Sequence, residues 1–251
     1  MKQIKRLVEE LLVAFQFLTR LPTPRVSYQA DSLSRAAKFF PVVGLLVGLG
    51  PSVLQHLLAA HLNRMLVALL IMTFLVFITG GLHEDGLADT ADAFGGGWNR
   101  EQVLTILRDS RIGSFGALAL VLSVLARFLL LSILPVNRFT AFVVSAHVLC
   151  RWTTLPLGHF LRPARESEGQ GARIAQKISP TSLLVGSLLS FAIVFYLLRR
   201  EFWIPIVAAL VITALSGLYY YRRIGGITGD CFGATNQFTE IAVYFCGVWS
   251  V

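Results

Sequence analysis

Long apolar stretches separated by short polar segments make up most of this chain. Crossing the hydrocarbon core of a bilayer as an α-helix takes about 20 apolar residues, and seven stretches approach this length. These predicted spans cover residues 36–61, 65–82, 113–134, 139–160, 181–198, 203–221 and 237–251. The pattern therefore predicts a polytopic membrane protein with about seven transmembrane helices.

The N-terminal segment, residues 4–20, has a different pattern. Its apolar side chains recur at helical spacing, at Leu7, Leu11, Leu12, Phe15 and Leu18. Four charged residues lie among them, at Lys5, Arg6, Glu9 and Glu10. A helix with one apolar face and several charges favours the surface of a membrane over its interior. We therefore expect an N-terminal interfacial helix.

The composition supports a membrane protein. Hydrophobic residues make up 55% of the 251 residues and charged residues only 14%, whereas soluble domains contain roughly 25% charged residues. The net charge of +8 does not indicate a nucleic-acid partner, because the basic residues are scattered between apolar runs. We predict an all-α integral membrane helical bundle that forms one domain, residues 1–251, in the lipid bilayer.

The basic residues instead predict an orientation. With the N-terminus in the cytoplasm and seven alternating spans, fifteen Lys and Arg residues lie on the cytoplasmic side and four on the opposite side. Such an excess is typical of cytoplasmic loops. The long polar connections, 83–112, 161–180 and 222–236, then share the cytoplasmic face. We expect a protein of the cytoplasmic (inner) membrane whose functional site faces the cytoplasm.

The segment 82–98, LHEDGLADTADAFGGGW, concentrates the scarce acidic residues. Glu84, Asp85, Asp89 and Asp92 lie within nine consecutive positions, in a chain with fourteen acidic residues in total. On a helix, Asp85, Asp89 and Asp92 share one narrow face, because they are spaced i, i+4 and i+7. Aligned carboxylates repel each other and raise one another's pKa. Oxygen ligands of this kind suit Mg²⁺, which also binds substrate phosphates.

Two interpretations of this face are open. In the first, the three aspartates are metal ligands, and His83 and Glu84 lie off the face as groups that contact the substrate or support the ligands. In the second, Asp85 is a helix N-cap before Gly86, and Asp89 is a solvated acid stabilised by the helix dipole. Three aligned acids exceed what capping requires.

Two further polar segments contain candidate phosphate-binding groups. Arg108 and Arg111, in the segment RDSRIGSFG, could bind phosphate oxygens or only anchor the chain at the interface. The segment 225–234, GGITGDCFGA, has four glycines and resembles a backbone cradle for an anion, which makes Thr228 and Gly229 candidate substrate-binding residues. Asp230 becomes a metal ligand only if it approaches the other aspartates in space.

One carboxylate, Glu240, lies inside the last predicted span. Charged side chains at membrane depth are often functional. The alternative is an ion pair with Arg127 or Arg151, which also lie inside predicted spans.

In these segments the sequence strongly resembles the cobalamin synthase family, the membrane-bound adenosylcobinamide-GDP ribazoletransferases of vitamin B12 assembly. The resemblance rests on residues 83–92 (HEDGLADTAD), 108–113 (RDSRIG) and 226–234 (GITGDCFGA), with 17–22 (FLTRLP) as an additional match. It extends from the N-terminus to the last predicted span.

The resemblance implies a reaction. The ribosyl hydroxyl of α-ribazole, or of its phosphate, attacks the phosphorus on the aminopropanol arm of adenosylcobinamide-GDP; GMP leaves, and Mg²⁺ is required. Together with the residue patterns above, the resemblance implies that Asp85, Asp89, Asp92 and Asp230 bind the metal and that Asp89 also has a catalytic role. It makes His83 and Glu84 candidate proton acceptors. Arg108 and Arg111 are expected to neutralise the charge of the leaving phosphate. The sequence leaves open whether the chain forms a homo-oligomer.

Three other functions are weighed against this one. A CDP-alcohol phosphotransferase also uses spaced aspartates on membrane helices, but its pattern places small residues and an Arg where Asp89 stands. A cation transporter requires carboxylates at mid-membrane depth, whereas these acids cluster at one interface. A non-catalytic membrane scaffold gives no reason to align three carboxylates that repel each other.

Overall fold

The structure, a computed structural model, describes residues 2–24, 26, 31–109, 111–165 and 178–249. Twelve α-helices and no strand occur in these ranges. They are α1 (Lys2–Leu18), α2 (Ser32–Ala36), α3 (Phe40–Leu58), α4 (Arg64–Thr79), α5 (Leu82–Gly96), α6 (Arg100–Ile106), α7 (Ser114–Ile133), α8 (Val136–Trp152), α9 (Thr154–Phe160), α10 (Pro180–Leu198), α11 (Trp203–Ile224) and α12 (Gly229–Trp249). Short 3₁₀ turns at Ala37–Phe39 and Arg199–Glu201 join neighbouring helices. Ser110 and most of the predicted loop 161–180 lie outside the described residues.

The all-α fold predicted from the sequence is confirmed, but the predicted number of spans is not. In the described residues, four helical segments are long and apolar enough to cross a membrane: Ser32–Leu58, Ser114–Ile133, Pro180–Glu201 and Trp203–Ile224. The number becomes five if α4 and α5, which meet at an angle of 87°, together form one broken span.

The difference from seven has physical causes. The predicted span 139–160 is divided between α8 and α9, and α8 has only 17 residues. The predicted last span, 237–251, belongs to α12, which begins earlier, at Gly229. Polar side chains interrupt the hydrophobic pattern of α12 and are buried inside the bundle, among them Asn236, Gln237 and Glu240. Such polar residues are tolerated where they are buried inside a helical bundle, but not where they contact lipid.

Helix α8 lies at the centre of the bundle and packs against α3, α10 and α12. Phe142 and Leu149 are fully buried there. The indole N–H of Trp152 donates a hydrogen bond to the Ser187 hydroxyl over 2.9 Å and joins α8 to α10. By contrast, Leu122 on α7 and Leu215 on α11 point away from the core and are about 60% exposed, as expected for side chains that contact lipid.

The loop before α12 is held by the chain that follows α9. Pro163 and Ile227 form an isolated parallel bridge. The Ile227 N–H donates to the Arg162 carbonyl, and the Ala164 N–H donates to the Ile227 carbonyl, each over 2.9 Å. These bonds fix the start of α12, and with it Asp230, relative to the rest of the bundle.

Candidate active site

The acidic helix α5 is separated from the apolar helix α4 by a sharp turn. Gly80 ends α4 with φ +67°, and Gly81 precedes α5 with φ +69°. Glycine adopts this left-handed conformation without the steric cost that a Cβ brings. The resulting bend of 87° turns α5 away from the axis of α4, so we place α5 outside the membrane-spanning segments.

Two glycines allow α5 and α12 to approach each other closely. A Cβ at Gly86 would lie 2.9 Å from the backbone oxygen of Asp230 and 3.1 Å from the Cα of Gly233. Only glycine fits such a contact without displacing the backbone. This packing brings Asp230 beside α5, the approach that a shared site with Asp85 and Asp89 requires.

Two cavities are lined by acidic side chains of the helix α5. The small cavity, of about 160 Å³, is lined by His83, Asp85, Thr154, Asp230 and Asn236 together with the rings of Phe17, Phe40 and Phe232. The large cavity, of about 600 Å³, is lined by polar residues that include Gln16, Thr19, Arg20, Glu84, Asp85 and Asp89. Asp85 lines both cavities, as do Phe17 and Leu82.

Asp85, Asp89 and Asp230, here called the aspartate cluster, influence one another electrostatically. Burial raises the pKa of Asp89 to about 6, and the negative charges of the other two cluster members add to this shift. Burial also raises the pKa of Asp230, and the guanidinium of Arg165 opposes that shift. Within the described part of the chain, no basic side chain forms an ion pair with a member of the aspartate cluster, and Arg165 acts on Asp230 from beyond ion-pair distance. The three carboxylates are therefore at most partly compensated by basic side chains of the described residues.

Glu84 points into the protein and pairs with a basic residue. Its carboxylate accepts a hydrogen bond from the Arg127 guanidinium over 2.8 Å. Arg127 is 1% exposed and also lies 3.6 Å from Glu240. We call Glu84, Arg127 and Glu240 the ion cluster. It includes the pair between Glu240 and Arg127 that the sequence offered as an alternative to a functional Glu240.

The side chain of Asp92 caps the N-terminus of α7. One carboxylate oxygen accepts a hydrogen bond from the Gly113 N–H over 2.7 Å, and the other accepts one from the Gly116 N–H over 2.8 Å. These amides lie at the N-terminus of α7, where N–H groups lack partners in the helix and favour negative charge. The sequence offered Asp85 as an N-cap of its own helix. In the structure it is Asp92 that acts as a cap, and the helix that it caps is α7.

His83 is buried, and its side chain lines the small cavity. Burial, assisted by the positive charge of Arg151, lowers the pKa of His83 to about 3. The imidazole is therefore neutral at physiological pH and a weak proton acceptor.

The predicted phosphate-binding residues lie in different settings. Arg108 and Arg111 are exposed; Arg111 forms a 2.6 Å ion pair with Asp109, which lowers the pKa of Asp109 to about 2. Gly229 begins α12 and lines the small cavity. The Thr228 hydroxyl donates to a carboxylate oxygen of Asp230 over 3.3 Å, so it orients a member of the aspartate cluster.

Sequence reasoning missed two residues that line these cavities. Arg20 lies on the wall of the large cavity. Asn236 is 2% exposed and lines the small cavity; its amide N–H donates to the Phe232 carbonyl, but its oxygen has no partner. Neither residue belongs to an acidic or glycine-rich motif. The only signal in the sequence for Asn236 is its spacing of seven residues from Gly229 on the same helix.

Comparison with known proteins identifies relatives over almost the whole chain. Residues 10–248 match the family model described as cobalamin-5-phosphate synthase. An adenosylcobinamide-GDP ribazoletransferase of Shewanella amazonensis is 36% identical over 97% of this chain and 96% of its own length. The protein of the same name from Sinorhizobium medicae is 38% identical, with 97% of each chain covered. No solved structure matches the chain.

These matches agree with the segments that carried the resemblance and leave the CDP-alcohol phosphotransferase, the transporter and the scaffold without support. They support a transferase of late cobalamin biosynthesis. The chain belongs to the cobalamin-5-phosphate synthase family.

Proposed function

We propose that this protein is a Mg²⁺-dependent transferase that joins adenosylcobinamide-GDP to α-ribazole or its phosphate. The products are adenosylcobalamin or its phosphate and GMP. The observation that supports this most directly is the aspartate cluster, in which carboxylates from α5 and α12 adjoin two cavities and form no ion pair with a basic side chain of the described residues. The names of the relatives supply the two substrates.

The donor atoms around the cluster fit Mg²⁺. They are oxygens: the carboxylates of Asp85, Asp89 and Asp230, with the partnerless amide oxygen of Asn236 on the same small cavity. Mg²⁺ binds through a few carboxylates and completes its shell with water and substrate phosphate. Asp92 has further lone pairs, but the α7 amides already engage both of its oxygens. We therefore assign the ligand role first to the aspartate cluster.

The reaction exchanges the phosphoanhydride bond of the diphosphate for a phosphoester bond. The hydroxyl oxygen of α-ribazole forms a bond to the phosphorus on the cobinamide arm, the bond from that phosphorus to the bridging oxygen breaks, and GMP departs with the bond electrons. The hydroxyl proton passes to a base. Bound Mg²⁺ would neutralise the negative charge of the diphosphate. Phosphoryl transfer depends mainly on such neutralisation and on positioning.

The protein's own residues hold the reacting groups. The Gly86–Gly233 contact fixes the distance between α5 and α12 and so the arrangement of the carboxylates. The hydroxyl of Thr228 orients Asp230. Of the proposed proton acceptors, Glu84 is engaged by Arg127 and His83 is held neutral at low pKa, whereas Asp89 faces the large cavity. This arrangement favours Asp89 over the other two.

We further propose that the chain resides in the inner membrane with both cavities toward the cytoplasm. The excess of basic residues on the cytoplasmic side, counted for the seven spans predicted from the sequence, supports this orientation. The outward-facing leucines of α7 and α11 support contact with the lipid bilayer.

The test is a reconstituted reaction. Purified protein in lipid nanodiscs receives adenosylcobinamide-GDP and α-ribazole, with Mg²⁺ or with EDTA. We expect GMP release and the corrinoid product only when both substrates and Mg²⁺ are present, with the two products formed in equal amounts. GMP release without α-ribazole, or full activity in EDTA, would contradict the proposal.

A further inference from the structure

One cationic side chain, Arg20, faces the same cavity as two members of the aspartate cluster. The large cavity has Asp85 and Asp89 on its α5 wall and Arg20 on the wall formed by the chain after α1. Glu84 also borders the cavity but is paired with Arg127. The cavity therefore has a negative side and a positive side.

The backbone holds Arg20 in this position. Its N–H donates a 2.7 Å hydrogen bond to the carbonyl of Ile78, near the end of α4. The preceding residue, Thr19, accepts a hydrogen bond at its hydroxyl from the Leu21 N–H and donates one to the Phe15 carbonyl. Arg20 is thus tied to the turn between α4 and α5, from which the acidic helix begins.

The guanidinium itself lies against Gly80. A Cβ at Gly80 would come within 2.1 Å of Arg20 Nε and 3.0 Å of its Nη2. The absence of a side chain at Gly80 therefore creates the space for the guanidinium group. At Gly81, which has almost the same φ, an added Cβ would meet nothing within 4 Å.

Arg20 forms no ion pair or side-chain hydrogen bond with any other described residue. It faces carboxylates of opposite charge and is not neutralised by them. A ligand that joins the two sides needs negative groups for the guanidinium and a bound cation for the carboxylates. A diphosphate complexed with Mg²⁺ has both.

We propose that Arg20 binds the diphosphate of the GDP-linked substrate in the large cavity, opposite Asp85 and Asp89, and that Gly80 keeps the guanidinium in place. This inference rests on the proposed function and adds a substrate-binding residue to it. Guanidinium groups bind phosphate oxygens through paired, charge-assisted hydrogen bonds. The acceptor nucleoside has no corresponding diphosphate, so Arg20 affects one substrate and not the other.

The experiment uses GDP as the probe and the full-length protein in nanodiscs. Titration calorimetry in Mg²⁺ measures the dissociation constant of GDP for the wild type, Arg20→Gln and Arg20→Lys. Loss of a charge-assisted hydrogen-bonded pair weakens binding by roughly 10- to 100-fold, which we expect for Arg20→Gln. Arg20→Lys retains the charge but not the fork of donors, and we expect an intermediate value.

The same variants are compared in the complete reaction. We expect Arg20→Gln to raise the KM for adenosylcobinamide-GDP by a similar factor and to leave the KM for α-ribazole near its wild-type value. A purely structural role for Arg20 would lower kcat and thermal stability without separating the two KM values.

Gly80 and Gly81 provide a matched pair of control variants. Alanine at either position carries the same left-handed backbone strain, but only Gly80→Ala collides with Arg20. We expect Gly80→Ala to weaken GDP binding in the direction of Arg20→Gln, and Gly81→Ala to retain an affinity close to the wild type at an equal loss of thermal stability.

An active wild-type protein whose GDP affinity is unchanged by Arg20→Gln would overturn the inference and leave the proposed function standing. A wild-type protein that neither binds GDP with Mg²⁺ nor forms product would instead overturn the proposed function. Equal weakening by Gly80→Ala and Gly81→Ala would also contradict the inference, because backbone strain alone would then account for the effect.

Discussion

The helices α5 and α12 contribute carboxylates both to the ion cluster and to the aspartate cluster. The two clusters differ in whether a basic side chain forms an ion pair with these carboxylates. In the ion cluster, Glu84 and Glu240 lie 2.8 and 3.6 Å from the buried guanidinium of Arg127. In the aspartate cluster, Asp85, Asp89 and Asp230 adjoin cavities and form no ion pair with a basic side chain in the described part of the chain; Arg165 acts on Asp230 only from a longer distance. The carboxylates of the first group are paired with a guanidinium of the protein, and we propose that those of the second group bind a cation from solution.

This difference shows why neighbouring ligand atoms alone do not define a metal site. His147, Cys150 and Glu240 offer atoms within 4.8 Å of one another and are fully buried. However, Arg127 lies 3.6 Å from Glu240, and Arg151 lies 3.2 Å from the His147 ring nitrogen. Two guanidinium charges repel a metal ion at that position. The charge of the surroundings, and not the number of candidate ligands, distinguishes the two groups.

Neutralising one carboxylate of the aspartate cluster should have the largest effect on activity. We expect Asp89→Asn to lower the rate of GMP release by about 10³-fold or more, because a catalytic metal contributes several kcal/mol to the transition state. Folding should be retained, since the substitution removes one of several charges that repel each other. Steady-state assays and thermal unfolding in EDTA measure the two effects.

The exposed acid Glu101 on α6 provides the control for this prediction. Glu101→Gln changes the net charge by the same amount but lies outside both cavities, and we expect its rate to match the wild type. An Asp89→Asn variant within tenfold of the wild-type rate would remove the functional distinction between the two clusters.

Breaking the ion cluster should affect stability instead of metal binding. Arg127→Met leaves Glu84 and Glu240 without their partner, and removing one member of a buried ion pair costs about 3–5 kcal/mol. Denaturant titration in mixed micelles measures the free energy of unfolding. The triple variant Arg127→Met, Glu84→Gln, Glu240→Gln removes the stranded charges and should recover much of the loss. If it recovers nothing, charge pairing is not the function of this cluster.

The pH dependence of stability should also separate the clusters. The pKa of Asp89 in the folded protein, about 6, lies above its ordinary value of 3.8, so the folded state binds this proton more tightly than the unfolded state. Metal-free protein should therefore gain stability as the pH falls from 6 toward 3.8 and lose it as the pH rises through 6. Mg²⁺ should stabilise the protein above pH 6 and less below it, because protons compete for the same oxygens.

Thermal unfolding between pH 4 and pH 8, with Mg²⁺ and with EDTA, measures this dependence. In Asp89→Asn, both the pH dependence in EDTA and the stabilisation by Mg²⁺ should decrease. Identical pH profiles for the wild type and Asp89→Asn would contradict the assignment.

The smallest effect is expected at Asp92. Asp92→Asn retains one acceptor for the N-terminus of α7 but loses the second and the charge, a change typical of about 1 kcal/mol for a helix cap. The same energy corresponds to less than tenfold in rate. We expect a small decrease in melting temperature and near-normal activity. A loss comparable to that of Asp89→Asn would show that Asp92 is a metal ligand after all, as its spacing in the sequence suggests.

The sequence predicted the helical membrane fold and the helix that bears the acids, because apolar runs and i, i+4 spacing are local properties. It could not predict that α8 and α9 divide one apolar stretch, or that α12 buries its polar face. These outcomes depend on which side chains the neighbouring helices cover. The predicted number of seven spans is not confirmed for this reason.

The same distinction applies to the candidate site. Periodicity placed Asp85, Asp89 and Asp92 on one face, but it contained no information about the partners of that face. The α7 amides that engage Asp92 and the guanidinium that engages Glu84 come from residues 21 to 43 positions away. Arg20 and Asn236 reach the cavities through tertiary packing alone.

Binding of Mn²⁺, measured by electron paramagnetic resonance and competed by Mg²⁺, tests the central claim most directly. Two variants are compared with the wild type. One combines Asp85→Asn, Asp89→Asn and Asp230→Asn; the other is Cys150→Ser, in the buried group of His147, Cys150 and Glu240. The account predicts Mn²⁺ binding to the wild type and to Cys150→Ser that Mg²⁺ displaces, and none to the combined aspartate variant. Retained Mn²⁺ binding in the combined variant, or its loss in Cys150→Ser alone, would contradict it.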